Sequence, residues 1–161
     1  VTPAGPPPPV APAPPMPDPP QIPPDRDVVT LCCERAAIDA IQDRVLAVAE
    51  RRGFSKESVF AIRLAMEEAI SNAFRHGHKD LPSDSPITVD YEVANDTIRI
   101  AVQDQGPGFH PEAIKDPTLD ENIEEPSGRG LMLMKAFMAT VRYNKVGNRV
   151  ELLYRKPATP K

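Results

Sequence analysis

From residue 87 to residue 103 the side chains alternate with period two around a short polar turn, and this pattern constrains the fold more than any other. Ile87, Val89, Tyr91 and Val93 alternate with Thr88, Asp90 and Glu92. After Asn95-Asp96, Ile98, Ile100 and Val102 alternate with Arg99, Ala101 and Gln103. Such alternation predicts an antiparallel hairpin with one apolar face. Two strands cannot bury that face alone, so a second layer must cover it. Asp104 keeps the parity of the inward residues, which aims its carboxylate toward the core side just past the strand end.

Helical periodicity supplies the second layer. Over residues 34–52, Ile38, Ile41, Val45 and Val48 share one face; Gly53 ends the helix and Phe54 packs behind it. Residues 55–78 form the central helix, with Ser55 as N-cap, Glu57 at the positive end and Gly77 as C-cap. At about 100° per residue, Val59, Ile62, Met66, Ala69, Ile70 and Ala73 make an apolar stripe. Ala65, Glu68, Asn72 and His76 lie on the strip beside it, whereas Glu67 sits roughly 140° from Asn72. A third helix over residues 130–139 turns Leu131, Met134 and Met138 inward. A short strand at residues 27–33 and a last hairpin, 141–145 and 149–155 around Gly147-Asn148, complete the set. The order predicts an α+β sandwich: a mixed or antiparallel sheet of about five strands, three helices on one face, the other face polar and solvated or covered by a partner.

Thirteen of the 21 prolines in the 161-residue chain precede Asp27. Residues 1–26 are therefore expected to be an extended tail, either passive or able to dock a proline-reading groove. Residues 27–156 form the folded domain, and residues 157–161 a frayed end. A net charge of −4 gives no electrostatic case for a nucleic-acid partner. No apolar run approaches the ~18–20 residues of a membrane span, and the start of the chain does not read as a leader. Cys32 and Cys33 are adjacent without a CxxC or His-rich set and read as reduced, partly buried thiols. These features fit a cytoplasmic protein.

Three segments carry chemistry. A carboxylate at the rim of a core, such as Glu68, is costly unless paired or used. The Asn72 amide oxygen can ligate Mg²⁺, a hard ion that takes few protein ligands and shares phosphate oxygens. Gly106 and Gly108 follow Asp104, whose carboxylate can accept from a flat donor such as an exocyclic amine. Gly128 and Gly130 precede the third helix, so residues 128–131, ending at Leu131, can cradle phosphate. The connection 105–127, with the acidic run 120–125, is long enough to be functional or mobile. There is no GxxxxGK[ST] loop, and Pro111 breaks GxGxxG. Each segment alone also reads as an ordinary helix boundary or turn.

Together, Glu68-x-x-x-Asn72, Asp104-x-Gly106-x-Gly108 and Gly128-x-Gly130 resemble the ATP site of the GHKL superfamily, which includes gyrase, histidine-kinase catalytic domains and the MutL proteins. EEAISNAFRHG, VQDQGPGFHPEAIKDP, SGRGLMLMKAFM and the terminal Gly-Asn hairpin are most similar to the anti-sigma factor serine-protein kinases of the SpoIIAB and RsbW type. The resemblance covers essentially the whole expected domain and implies the Bergerat sandwich.

It also implies roles. Asn72 would ligate Mg²⁺ and Glu68 would be the general base. Asp104 would bind the adenine amine, and Gly106 and Gly108 would let the chain pass the base. Gly128 and Gly130 would open the phosphate-contacting helix, Arg129 would face phosphate or anchor the lid, and residues 109–127 would be that lid. His76 matches a common family position, with packing and ligand contact both open. The implied function is phosphorylation of a STAS-type antagonist with ATP and Mg²⁺, together with sequestration of a sigma factor, in a protein whose relatives are often dimers. The alternatives are a nucleotide-gated binding module with little catalysis and a histidine-kinase catalytic domain, although no upstream phospho-acceptor hairpin is visible.

Overall fold

The alternating segment is a hairpin: β2 (Ile87–Val93) pairs antiparallel with β3 (Thr97–Gln103), Val89 opposite Val102 and Tyr91 opposite Ile100. The structure is a computed structural model that describes residues 23–108 and 126–158. β1 (Asp25–Leu31) joins the free edge of β2, β5 (Arg149–Arg155) joins β3, and β4 (Thr140–Tyr143) joins β5. The order is β1-β2-β3-β5-β4, and every pair is antiparallel. Helices α1 (Arg35–Arg51), α2 (Lys56–Asn72) and α3 (Pro126–Phe137) supply the second layer. Ile62, Met66 and Ile70 of α2 and Met134 of α3 are fully buried in one core with Val89, Ile98, Ile100 and Leu152 of the sheet.

The outward sheet face is polar, as the alternation requires. Asp90 on β2 is nearly covered there, accepting from Arg99 at 3.4 Å and Arg149 at 3.2 Å, with Arg26 at 4.0 Å.

Four local expectations are corrected. The first strand runs two residues earlier than 27–33, because its register against β2 ends at Leu31 opposite Ile87. Cys32 and Cys33 therefore fall past the strand and are free and exposed, not partly buried. The third helix starts at Pro126 rather than Gly130. Proline suits a first helical position, since its φ is already helical and its missing N–H would have been unpaired. Finally, α2 does not stop at a left-handed Gly77: it widens into a π-helical turn, Ala73–Gly77, and Gly77 has no positive φ.

Of the tail expected over residues 1–26, Asp25 and Arg26 belong to β1, while residues 1–22, the connection 109–125, residues 159–161 and the side chain of Arg129 lie outside the described residues.

Ser55 caps α2 as expected, accepting from the Ser58 N–H at 3.2 Å. A second tie was not read from the sequence. Arg52, whose side chain is only 9% exposed, donates to Asp25 Oδ2 at 2.8 and 3.0 Å, to Asn95 Oδ1 at 2.8 Å and to the Pro23 carbonyl at 2.6 Å. It fastens the start of β1 and the β2–β3 turn to the end of α1. Arg52→Ala leaves these acceptors without their shared donor and is expected to lower unfolding free energy by about 2 kcal/mol in denaturant melts. A change below about 0.5 kcal/mol would show the latch to be incidental.

Candidate functional site

α2 and its π-helical turn form one wall of a cavity of about 290 Å³ at the end of the sandwich, near the lower bound for small-molecule sites. Asn72, His76 and Gly77 contribute to that wall, Asp104 and Gly108 come from the segment after β3, Leu131 comes from α3, and Tyr143 and Asn148 come from the last hairpin. Asn72 and Asp104, 32 positions apart in the chain, thus face one space, as the reading of three converging segments required. Ala69, Val102 and Val150 give the cavity an apolar floor.

Asp104 is held in detail. Its Oδ1 accepts the Gly106 N–H at 2.7 Å, and its own N–H donates to the Asn148 carbonyl at 2.9 Å. Burial pushes its carboxyl above the usual range, opposed by the Gly106 hydrogen bond and the charge of His78. The carboxyl group lies directly against Gly77: a Cβ there would overlap Asp104 Cγ and Oδ2. Gly77 is therefore needed for the close approach of Asp104, not for a helix cap. Gly108, at φ +78°, passes so close to the Val146 carbonyl that only glycine fits. Gly106 is not on the cavity wall; it packs on the Gly77 carbonyl and supports Asp104 from behind.

The two adjacent glutamates part as the helical period demands. Glu67 is exposed, with Arg35 at 3.6 Å. Glu68 is half-buried, and its carboxylate packs against Gly130 of α3, where a Cβ would overlap Glu68 Oε1. Glu68 and Gly130 are beside the cavity rather than on its wall. Gly128 stands in the first turn of α3, where N–H groups lack helical partners. Gly130 is deeper in the helix, and its role is to let α3 approach Glu68.

Several wall residues were not singled out from the sequence as site residues. Tyr143 lines the cavity, and burial, with the charge of Glu68 adding to it, pushes its phenol up to about 12, so it is neutral near pH 7. Asn148, also on the wall, read only as part of the Gly147-Asn148 turn, and Asn144 beside it builds that turn. Asn144 Oδ1 accepts the N–H groups of Gly147, Asn148 and Arg149 at 2.8, 3.1 and 3.2 Å. Asn148 Nδ2 reaches the carbonyls of Asp104 and Gly106 at 3.4 Å. No periodicity reports the Asn148 ties, because they join loops distant in the chain. Among the described residues, no helix is long and apolar enough to cross a membrane.

An antiparallel sheet under one helical layer, with a cavity lined by α2 and its π-helical turn, the segment after β3, Leu131 of α3 and the last hairpin, defines an α+β sandwich with a site at one end. The chain belongs to the histidine kinase-like ATPase domain family, whose family model matches residues 33–154. It is 38% identical over 103 residues to Serine-protein kinase RsbW of Oceanobacillus iheyensis, a match covering 60% of this chain and 65% of that protein. It is 33% identical over 101 residues to the protein of that name from Listeria monocytogenes, covering 59% and 64%. The Staphylococcus epidermidis protein is 32% identical over 114 residues, covering 67% and 72%. The first two matches thus span slightly less than two thirds of those relatives' length.

Proposed function

We propose that the chain is an ATP-dependent serine-protein kinase acting as an anti-sigma factor in the cytoplasm, which phosphorylates a STAS-type antagonist and sequesters a sigma factor. The observation that carries this reading is the presence of Asn72 and Asp104 on one cavity, with Glu68 one helical turn before Asn72. The kinship with proteins named Serine-protein kinase RsbW supports the same reading.

In this reading the ionised Asp104 accepts from the exocyclic amine of adenine, while Ala69, Val102 and Leu131 enclose the base. The free N–H groups at the start of α3, Gly128 among them, hold phosphate oxygens. Asn72 suits Mg²⁺, since it lines the cavity, an amide oxygen is a hard donor, and an ion that shares phosphate oxygens needs few protein ligands. When bound, Mg²⁺ supplies charge neutralisation on those oxygens. Glu68 takes the proton of the incoming serine hydroxyl as its oxygen bonds to the γ-phosphorus. The bond from that phosphorus to the bridging oxygen breaks, and ADP leaves with the electron pair.

The reading is tested with γ-labelled ATP, Mg²⁺ and a STAS-domain antagonist. Label on an antagonist serine is expected. Nucleotide binding without any label would instead mean a nucleotide-gated binding module.

Asp104 gives two linked predictions. Asp104→Asn places a donor where the amine needs an acceptor and is expected to weaken ADP binding by about 1.5–3 kcal/mol in calorimetric titration. The same change is expected to leave thermal stability equal or higher. Because burial raises the carboxyl pKa, folded Asp104 keeps a proton that the unfolded chain has already released. Stability therefore falls as pH rises between the ordinary and the raised value, and asparagine removes that cost. Parental ADP affinity in Asp104→Asn would refute the adenine role.

A further inference from the structure

Asn144 and Asn148 fix each other's orientation. Asn144 Oδ1 is committed to the N–H groups of Gly147, Asn148 and Arg149, so its Nδ2 faces the other way, where it donates to Asn148 Oδ1 at 2.8 Å. That bond leaves Asn148 Nδ2 as the end that meets the carbonyls of Asp104 and Gly106, each at 3.4 Å. Both distances are long for a single bond, as one amide group spanning two acceptors requires. The two carbonyls bracket the turn in which Asp104 Oδ1 accepts the Gly106 N–H at 2.7 Å, the bond that aims the carboxylate. The Asp104 N–H donates to the Asn148 carbonyl at 2.9 Å, so Asn148 grips this turn with both backbone and side chain.

We infer that Asn148 is a positioning residue for base selection: its amide, oriented by Asn144, clamps the Asp104–Gly106 turn and holds the Asp104 carboxylate where a base with an exocyclic amine satisfies it. This rests on the adenine assignment of Asp104 proposed above.

The hairpin does not itself need the Asn148 amide. Asn144 makes the side-chain bonds that close the β4–β5 turn, its carbonyl accepts the Gly147 N–H at 3.1 Å, and Gly147 carries the positive φ. The Asn148 donor is directed instead at the segment that carries Asp104, and Gly108 of that segment packs on the Val146 carbonyl of the same hairpin. Asn144 does not line the cavity, so an effect of Asn144 on base selection has to pass through Asn148.

The test is a calorimetric titration with Mg²⁺-ADP and Mg²⁺-IDP, whose base carries a carbonyl oxygen in place of the adenine amine, with thermal melts confirming folding. The parent is expected to prefer ADP by about 10–100-fold, the range of one hydrogen bond to a charged group. Asn148→Ala is expected to cut that preference about tenfold by weakening ADP, with IDP affinity changed less than about threefold. Asn144→Asp keeps the acceptor for the three turn N–H groups but loses the donor to Asn148, and its second oxygen turns the Asn148 amide around. It is expected to cut the preference to a similar extent. In an Asp104→Asn background, Asn148→Ala should not change the ADP-to-IDP ratio further. Folded Asn148→Ala and Asn144→Asp with the parental preference would overturn this inference alone. So would an equal loss of ADP and IDP affinity, which would mark a purely structural role. If the parent binds ADP and IDP equally, the adenine assignment fails as well.

Discussion

Glu68→Gln is expected to lose most phosphoryl transfer, by about 10²–10⁴-fold, while binding ADP nearly as well as the parent. Glutamine keeps the length and polarity of glutamate but cannot accept the serine proton. Nucleotide affinity should survive because Glu68 packs against Gly130 beside the cavity and does not line it. The neighbouring residue is the natural control. Glu67 is exposed and faces Arg35 across 3.6 Å, so Glu67→Gln should transfer label at close to the parental rate. An active Glu68→Gln, or an inactive Glu67→Gln, would remove the base from this position. Gly130→Ala is a subtler version of the same test, since its methyl group must push the Glu68 carboxylate aside.

Gly77→Ala should abolish tight nucleotide binding and lower folding stability by roughly 1–3 kcal/mol, because the methyl displaces Asp104. Helix propensity alone would favour alanine by about 1 kcal/mol, and no left-handed backbone opposes it, because Gly77 lacks a positive φ. The obstacle is Asp104, whose carboxyl group occupies the space of the new methyl. Asp104 is short, its backbone is fixed by the Asn148 carbonyl, and its Oδ1 holds the Gly106 N–H, so the carboxyl cannot step aside without giving up that last bond. ADP affinity is therefore expected to fall about a hundredfold, at the upper end of what one charged hydrogen bond contributes. A well-folded Gly77→Ala with parental affinity would mean that the Asp104 carboxylate does not contact the ligand.

These two predictions also mark what the sequence can and cannot disclose. Period two placed Val89, Ile100 and Val102 inward and carried Asp104 to the cavity. Period 3.6 separated Glu67 from Glu68, and the cap at Ser55 was readable from residue type. These signals are local and repeat along one element. The reasons for Gly77 and Gly130 were not readable, because each is glycine on account of a side chain from another element. The end of β1 was misplaced because Cys32 and Cys33 continue its apolar composition, whereas the register that ends the strand belongs to β2. Helix α3 was begun too late because its glycines read as a preceding loop, and Pro126 is silent until the helix is seen to start on it. Arg52 and Asn148 act across 27 or more positions of sequence, and no pattern in one stretch reports that.

The central claim is that one cavity takes the base at Asp104 and the phosphates between Asn72 and the start of α3. A crystal structure of the chain with ADP and Mg²⁺ tests it most directly. The account expects the exocyclic amine about 3 Å from an Asp104 oxygen and the phosphates beside Asn72 and Gly128. A nucleotide seated elsewhere, or one whose base lies away from Asp104, would contradict it.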